Sequence, residues 1–252
     1  MTADAQQPAQ EDTFISHLME LRSRLVKASA GVIIVFLCLM PWAGAIFDLL
    51  AHPMMVALPP GSKMIATGVI TPFMIPMKLT LLVAFIIALP LVLYQAWAFV
   101  APGLYAHEKR LVAPLVISSS LLFVIGVGFC YFLVFGVVFK FVNGFSPASV
   151  SVAPDIESYF GFVMTMFIAF GLTFEVPIVV IVLVRMGLVS VEKLREMRPY
   201  VVVGAFVIAA VVTPPDVMSQ LLLAFPLWIL FEIGLILAPL FERMTRKPEE
   251  PV

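Results

Sequence analysis

Charge is scarce in this chain: 12% of its 252 residues are Asp, Glu, Lys or Arg, against 62% that are hydrophobic. A soluble domain carries about 25% charged residues. With a mean hydropathy of +1.09, the chain belongs in a membrane. The formal net charge is -1, and no local basic patch stands out, so nucleic acid is excluded as a partner. There are 2 cysteines, Cys38 and Cys130. Both fall in apolar runs where a thiol packs as a small hydrophobe, and no disulfide framework is implied. The 3 histidines, His17, His52 and His107, stand far apart without HExxH or Cys/His spacing, so no metal site is expected. GxSxG, GxGxxG and GxxxxGK[ST] are also missing, so neither a catalytic residue nor a cofactor is expected. Ser118-Ser119-Ser120 reads as a close-packing stretch whose hydroxyls bond back to the helix or across to a neighbour.

Long apolar runs are what the chain has instead. A spanning helix needs roughly 20 apolar residues, and four segments meet that length: Ala28 to Phe47, Leu79 to Val100, Leu111 to Val142 and Tyr159 to Val184. Two shorter runs follow, Tyr200 to Val212 and Val217 to Phe231, divided by Thr213-Pro214-Pro215-Asp216. Consecutive prolines cannot continue a helix, so the chain turns there, and Asp216 is placed to cap the helix that follows. The expected fold is an all-α integral membrane protein of six transmembrane helices. The last two are short: about 15 residues of helix reach about 22 Å against a core near 30 Å. Prolines at positions 41, 90, 114, 177 and 226 predict a kinked, concave bundle rather than straight rods.

The whole chain, 1–252, reads as a single membrane domain. It has a cytoplasmic amphipathic leader over 1–27, capped at Asp12 or Thr13, a six-helix bundle over 28–238 and a tail over 239–252. With the amino end inside, twelve of the 15 basic residues fall on the inner side, only Lys63, Lys78 and Lys140 outside, which puts both termini in the cytoplasm. Ala43-Gly44-Ala45 resembles a signal-peptidase site, but the structured leader predicts that the first span is retained.

Three carboxylates stand where they ask for a reason. Glu175 lies inside an otherwise uncharged run, where an ionisable group faces a bundle interior or a wet cavity. Glu20 and Glu108 lie among basic residues on the inner side. Glu20 can pair with Arg24 at i+4, worth a few tenths of a kcal/mol, and Glu108 is offset by Lys109 and Arg110. Alternatively, the two receive a cationic ligand. A carboxylate holds a guanidinium by two parallel hydrogen bonds, so a pair of them selects a peptide with adjacent arginines, with Phe99, Leu104 and Tyr105 adding apolar contact.

Several segments together carry a more specific pattern. They are Phe14-Ile15-Ser16-His17-Leu18-Met19-Glu20-Leu21-Arg22, Tyr94-Gln95-Ala96-Trp97 through Pro102 to His107-Glu108-Lys109-Arg110, Phe174-Glu175-Val176-Pro177, Arg198-Pro199-Tyr200, and Thr213-Pro214-Pro215-Asp216. In order and spacing they closely resemble the TatC family, the multispanning receptor of the twin-arginine protein translocase, from about residue 12 to about 241. Lys109, where arginine is common, and the short tail after Arg243 are minor departures.

The resemblance implies a protein of the bacterial cytoplasmic membrane that binds twin-arginine signal peptides of folded cargo. It also implies recruitment of TatA- and TatB-type single-span partners, self-association, and transport driven by the protonmotive force. On it, Glu20 and Glu108 bind the paired arginines, with Phe99 and Leu104 beside them. Pro53 belongs to the positions tied to recognition or assembly, while Glu175, Thr213 and Gln220 form an intramembrane polar site where partner helices dock. Local thinning of the bilayer and a proton relay are the other roles open to Glu175. A secondary transporter using Glu175 as a proton or cation site is the alternative function, weakened by the absence of internal symmetry.

Overall fold

Apolar runs punctuated by proline produce helices broken where the prolines stand. The computed structural model describes residues 7–58, 63–100, 112–144, 153–213 and 216–243, and among them the secondary structure is helical apart from one backbone bridge between Ile65 and Asp155. The chain divides into two compact units, Met1–Pro41 with Leu81–Ser120, and Trp42–Thr80 with Leu121–Val252.

In the first unit, α1 (Gln7–Leu39) runs unbroken for 33 residues. Leader and first span are thus one helix. Asp12 and Thr13 lie inside it and do not cap a separate element, because no glycine or proline interrupts the chain between Pro8 and Gly31. The helix yields to a short 3-10 turn at Met40–Trp42, where Pro41 stands. The expected second span is a bent pair, α3 (Thr71–Ile87) and α4 (Leu89–Val100), at 60° to one another. Pro90 has no N–H to continue the ladder, and Ala88 O instead accepts from Leu91 N at 3.0 Å and Val92 N at 3.1 Å. Along the α1 and α4 seam, a methyl group at Gly31 would overlap the Leu91 side chain, so glycine sets how closely the two helices approach. The third span begins as α5 (Val112–Phe129). Ser118 and Ser120 donate back to Leu115 O and Val116 O, while Ser119 Oγ accepts from Trp97 Nε1 at 3.3 Å and ties α4 to α5.

The second unit is built on α7 (Ile156–Arg185), with α2 (Ala43–Ala57) and α6 (Phe135–Gly144) at one end and α8 (Val191–Glu196), α9 (Arg198–Val212) and α10 (Val217–Arg243) beside it. Asp155 caps α7 by accepting from Ser158 N at 3.0 Å, and the same carboxylate takes Thr67 Oγ1 at 2.9 Å. These bonds, the one from the Ser158 backbone foremost, hold its pKa below the ordinary carboxylate value. Gly187, at φ +68°, ends the helix in the left-handed conformation that glycine adopts without strain. Ser190 then caps α8, its Oγ accepting from Lys193 N at 3.2 Å. Val180, Val191, Leu194, Phe231, Leu235 and Ala238 form the core that joins α7, α8 and α10.

At the other end, a π-helical turn, Cys130–Val134, joins α5 to α6. Its Tyr131 donates to Leu49 O at 2.8 Å, and Tyr159 donates to Leu50 O at 2.9 Å. Leu49 O is the carbonyl that Pro53, inside α2, has no N–H to satisfy. Tyrosine supplies the bond that proline withholds.

Among the described residues, four helices are long and apolar enough to cross a membrane, five if the bent pair is one span, and α9 is shorter at 15 residues. One expectation is overturned. The last helix is not short: α10 continues past Phe231 for 27 residues in all, to Arg243. Glu232, which ends the apolar run in sequence, does not end the helix, since glutamate is a good helix former; Arg198 Nη2 donates to its Oε2 at 2.6 Å.

Candidate functional site

Two groups of expected site residues fall in different units. The first is the seam between α1 and α4. Residues 17, 20 and 24 follow the three- and four-residue spacing that keeps side chains on one helix face, and residues 95 and 99 do the same on α4. His17 stacks on Phe99 with ring centroids 4.4 Å apart and planes at 21°. Glu20 is exposed, and its Oε1 accepts from Arg24 Nε at 2.9 Å and Nη2 at 2.6 Å. The remaining Arg24 nitrogen, Nη1, reaches Oε1 of Gln95 at 3.5 Å, and Gln95 is buried.

The i+4 pairing of Glu20 with Arg24 is therefore present, and it sits on the helix face that carries the aromatic partner. A carboxylate in this position can hold a guanidinium through two N–H donors, the geometry that separates arginine from lysine. Glu108 and Leu104, the other expected members of this site, lie outside the described residues.

The second group is intramembrane. Glu175 lies on α7 within a turn of Pro177 and is buried. Thr213 is the C-cap of α9, also buried, with its Oγ1 donating to Ala209 O at 2.9 Å. Gln220, in the first turns of α10, donates from Nε2 to Phe206 O at 3.3 Å. Thr213 and Gln220 are thus gathered on the last turns of α9. Glu175 is not with them. α10 meets Pro177 at Gly234, where an added methyl would lie 3.0 Å from the Pro177 Cα. Gln220 is about 20 Å up that helix at 1.5 Å per residue. Asp216 caps α10, its Oδ1 accepting from Ser219 N at 2.7 Å. Pro214 and Pro215 lie outside the described residues.

Sequence reasoning missed two contacts. Gln95 carries no signal of its own beyond a polar residue in an apolar run, and Arg198 and Glu232 are separated by 34 positions, beyond any helical spacing. Among the described residues no group of His, Cys, Asp or Glu is arranged to hold a metal ion.

The family model described as Sec-independent protein translocase protein (TatC) matches residues 16–226. A protein named Sec-independent protein translocase protein TatC from Escherichia coli K12 is 51% identical over 242 residues, covering 95% of this chain and 94% of the relative. One of the same name from Aquifex aeolicus is 39% identical over 236 residues, covering 93% and 96%. A crystal structure titled as the twin arginine translocase receptor TatC superposes with a TM-score of 0.79 at 39% identity, over 90% of this chain and 100% of that one. A second, of the same receptor in DDM, gives 0.78 at 37% identity over 88% and 99%.

Proposed function

The chain belongs to the TatC family of Sec-independent protein translocase proteins, and from that membership we propose that it is the receptor and assembly core of a twin-arginine translocase. It binds the signal peptides of folded cargo at the cytoplasmic face of the bacterial inner membrane and recruits TatA- and TatB-type single-span partners. Export is driven by the protonmotive force. On this reading the chain spans six times, with α3 and α4 counted as one and the short α9 as the fifth, and the distribution of basic residues argues for both termini on the cytoplasmic side.

The observation that supports this reading most directly is the state of Glu20. It accepts two N–H donors from one guanidinium on the helix face that also presents His17 to Phe99. A twin-arginine peptide offers the same donors. Glu20 and Glu108 each take one arginine, and Phe99 with Leu104 receives the apolar residues that follow. Glu175, Thr213 and Gln220 serve partner helices as two contacts at different depths: Thr213 and Gln220 near the outer surface and Glu175 deeper. Copies of the chain associate with one another in the working complex.

Photocrosslinking from positions beside Glu20 to a twin-arginine signal peptide, in inverted membrane vesicles, tests this. Strong crosslinks that vanish for the twin-lysine peptide and on Glu108→Lys are expected. Equal labelling by both peptides would return both glutamates to the role of ordinary surface charges.

A further inference from the structure

The carboxylate assigned to the cargo peptide is occupied by the protein's own side chain. Arg24 places Nε and Nη2 on Glu20 Oε1 at 2.9 and 2.6 Å. Fork-to-fork pairing with an incoming guanidinium requires both carboxylate oxygens in one plane, and Arg24 already holds one of them with two donors. It also neutralises the charge that attracts the peptide. The pair is partly sheltered, with side chains 25% exposed for Arg24 and 44% for Glu20.

Two features separate this pair from the ordinary ion pair of a solvated helix. First, Arg24 has a second acceptor across the seam, the buried Gln95 amide at 3.5 Å. Arg24 can leave Glu20 without losing every hydrogen-bond partner, so the exchange does not strand a charge. Second, the pair is on the face that packs against α4, one turn from the His17 and Phe99 stack. The seat that a peptide would use is held by a residue of α1 itself.

We propose that Arg24 is a resident competitor: it holds the Glu20 seat in the unliganded receptor, is displaced onto Gln95 by the first arginine of the cargo peptide, and so sets the affinity threshold for recognition. The proposal rests on the receptor reading above and adds a regulatory residue to it. Its arithmetic is that of a closed state. If the seat is free for only a fraction of the time, the apparent dissociation constant rises by the inverse of that fraction. A competitor for one seat acts alike on every ligand that uses the seat. Arg24 therefore lowers the affinity of arginine and lysine peptides by the same factor, and the preference between them comes from the fork geometry of the carboxylate site. The threshold keeps weak cationic sequences from registering.

The test uses the full-length protein in lipid nanodiscs and a fluorescent synthetic peptide with two adjacent arginines before an apolar stretch, beside its two-lysine counterpart. Affinities are measured by anisotropy for the unchanged protein, Arg24→Gln and Arg24→Lys. Arg24→Gln is expected to bind both peptides about two- to sixfold more tightly, with their ratio unchanged. Arg24→Lys keeps the positive charge but loses the fork, and is expected to gain a smaller factor, which separates competition for the seat from relief of general charge repulsion. Circular dichroism and the thermal midpoint check that both variants are folded. Unchanged or weaker binding in both variants overturns the proposal, as does a gain confined to one peptide. If the unchanged protein itself fails to prefer the arginine peptide, it is the receptor reading that falls.

Discussion

Replacing Tyr131 with phenylalanine removes one oxygen, and the structure states what that oxygen is for. Its hydroxyl lies 2.8 Å from Leu49 O, a carbonyl whose ordinary helical donor is missing because position 53 is proline. In Tyr131→Phe the carbonyl is left without that donor at an exposed position, where water takes part of its place, so the cost is near the ordinary net value of about 1 kcal/mol. Tyr159→Phe breaks a bond of similar length, 2.9 Å to Leu50 O. That bond is buried and the Tyr159 hydroxyl also meets the Met54 backbone, so the loss is larger, about 1–3 kcal/mol.

The two substitutions are therefore expected to differ, and the difference should depend on residue 53. Pro53→Ala restores an N–H to α2, and in that background most of the cost of Tyr131→Phe should vanish, a coupling that a double-mutant cycle measures. At about 2–4 °C per kcal/mol for a chain of this size, the midpoint of Tyr131→Phe should fall by about 2–4 °C and recover much of that loss when alanine replaces Pro53. Scanning fluorimetry at fixed detergent and lipid concentration reads all four proteins. Equal losses from Tyr131→Phe with proline and with alanine at position 53 would refute the account.

Two further outcomes follow from other contacts. Arg198→Ala leaves Glu232 unmatched inside the apolar stretch of α10 and should cost about 1–2 kcal/mol, between the values for exposed and buried pairs; the charge-swapped protein, Arg198→Glu with Glu232→Arg, should regain most of it in the same assay. Asp155 has a folded pKa below its unfolded one, so its contribution to stability is complete above the unfolded value and is lost as pH falls through the folded one. Acid titration of the melting midpoint should therefore show a smaller drop below about pH 4 in Asp155→Asn than in the unchanged protein, and an identical drop in both would remove Asp155 from that role.

The helical character of the chain was legible because hydropathy alone dictates it, and α7 matches its apolar run closely. The pairing of Glu20 with Arg24 was legible too, since it follows from helical spacing. The end of α10 was not, because Glu232 reads as the close of a hydrophobic run although glutamate continues a helix readily, and its partner Arg198 lies 34 positions away. The single helix through leader and first span was obscured by polar composition, which changes where a helix lies in a bilayer without breaking its hydrogen bonds. The polar trio was visible only as residue types. Its division along α10, with Thr213 and Gln220 on the last turns of α9 and Glu175 beside the meeting of Pro177 and Gly234, depends on where α7 and α10 approach each other.

The ion pair between α9 and α10 bears on how the newly made chain enters the bilayer. Alone, α9 is 15 residues long, about 22 Å of helix against a core of about 30 Å, and α10 alone carries an uncompensated glutamate. Together they cancel that charge through the pair of Arg198 and Glu232. The two helices therefore enter a bilayer more favourably as a pair than either does alone.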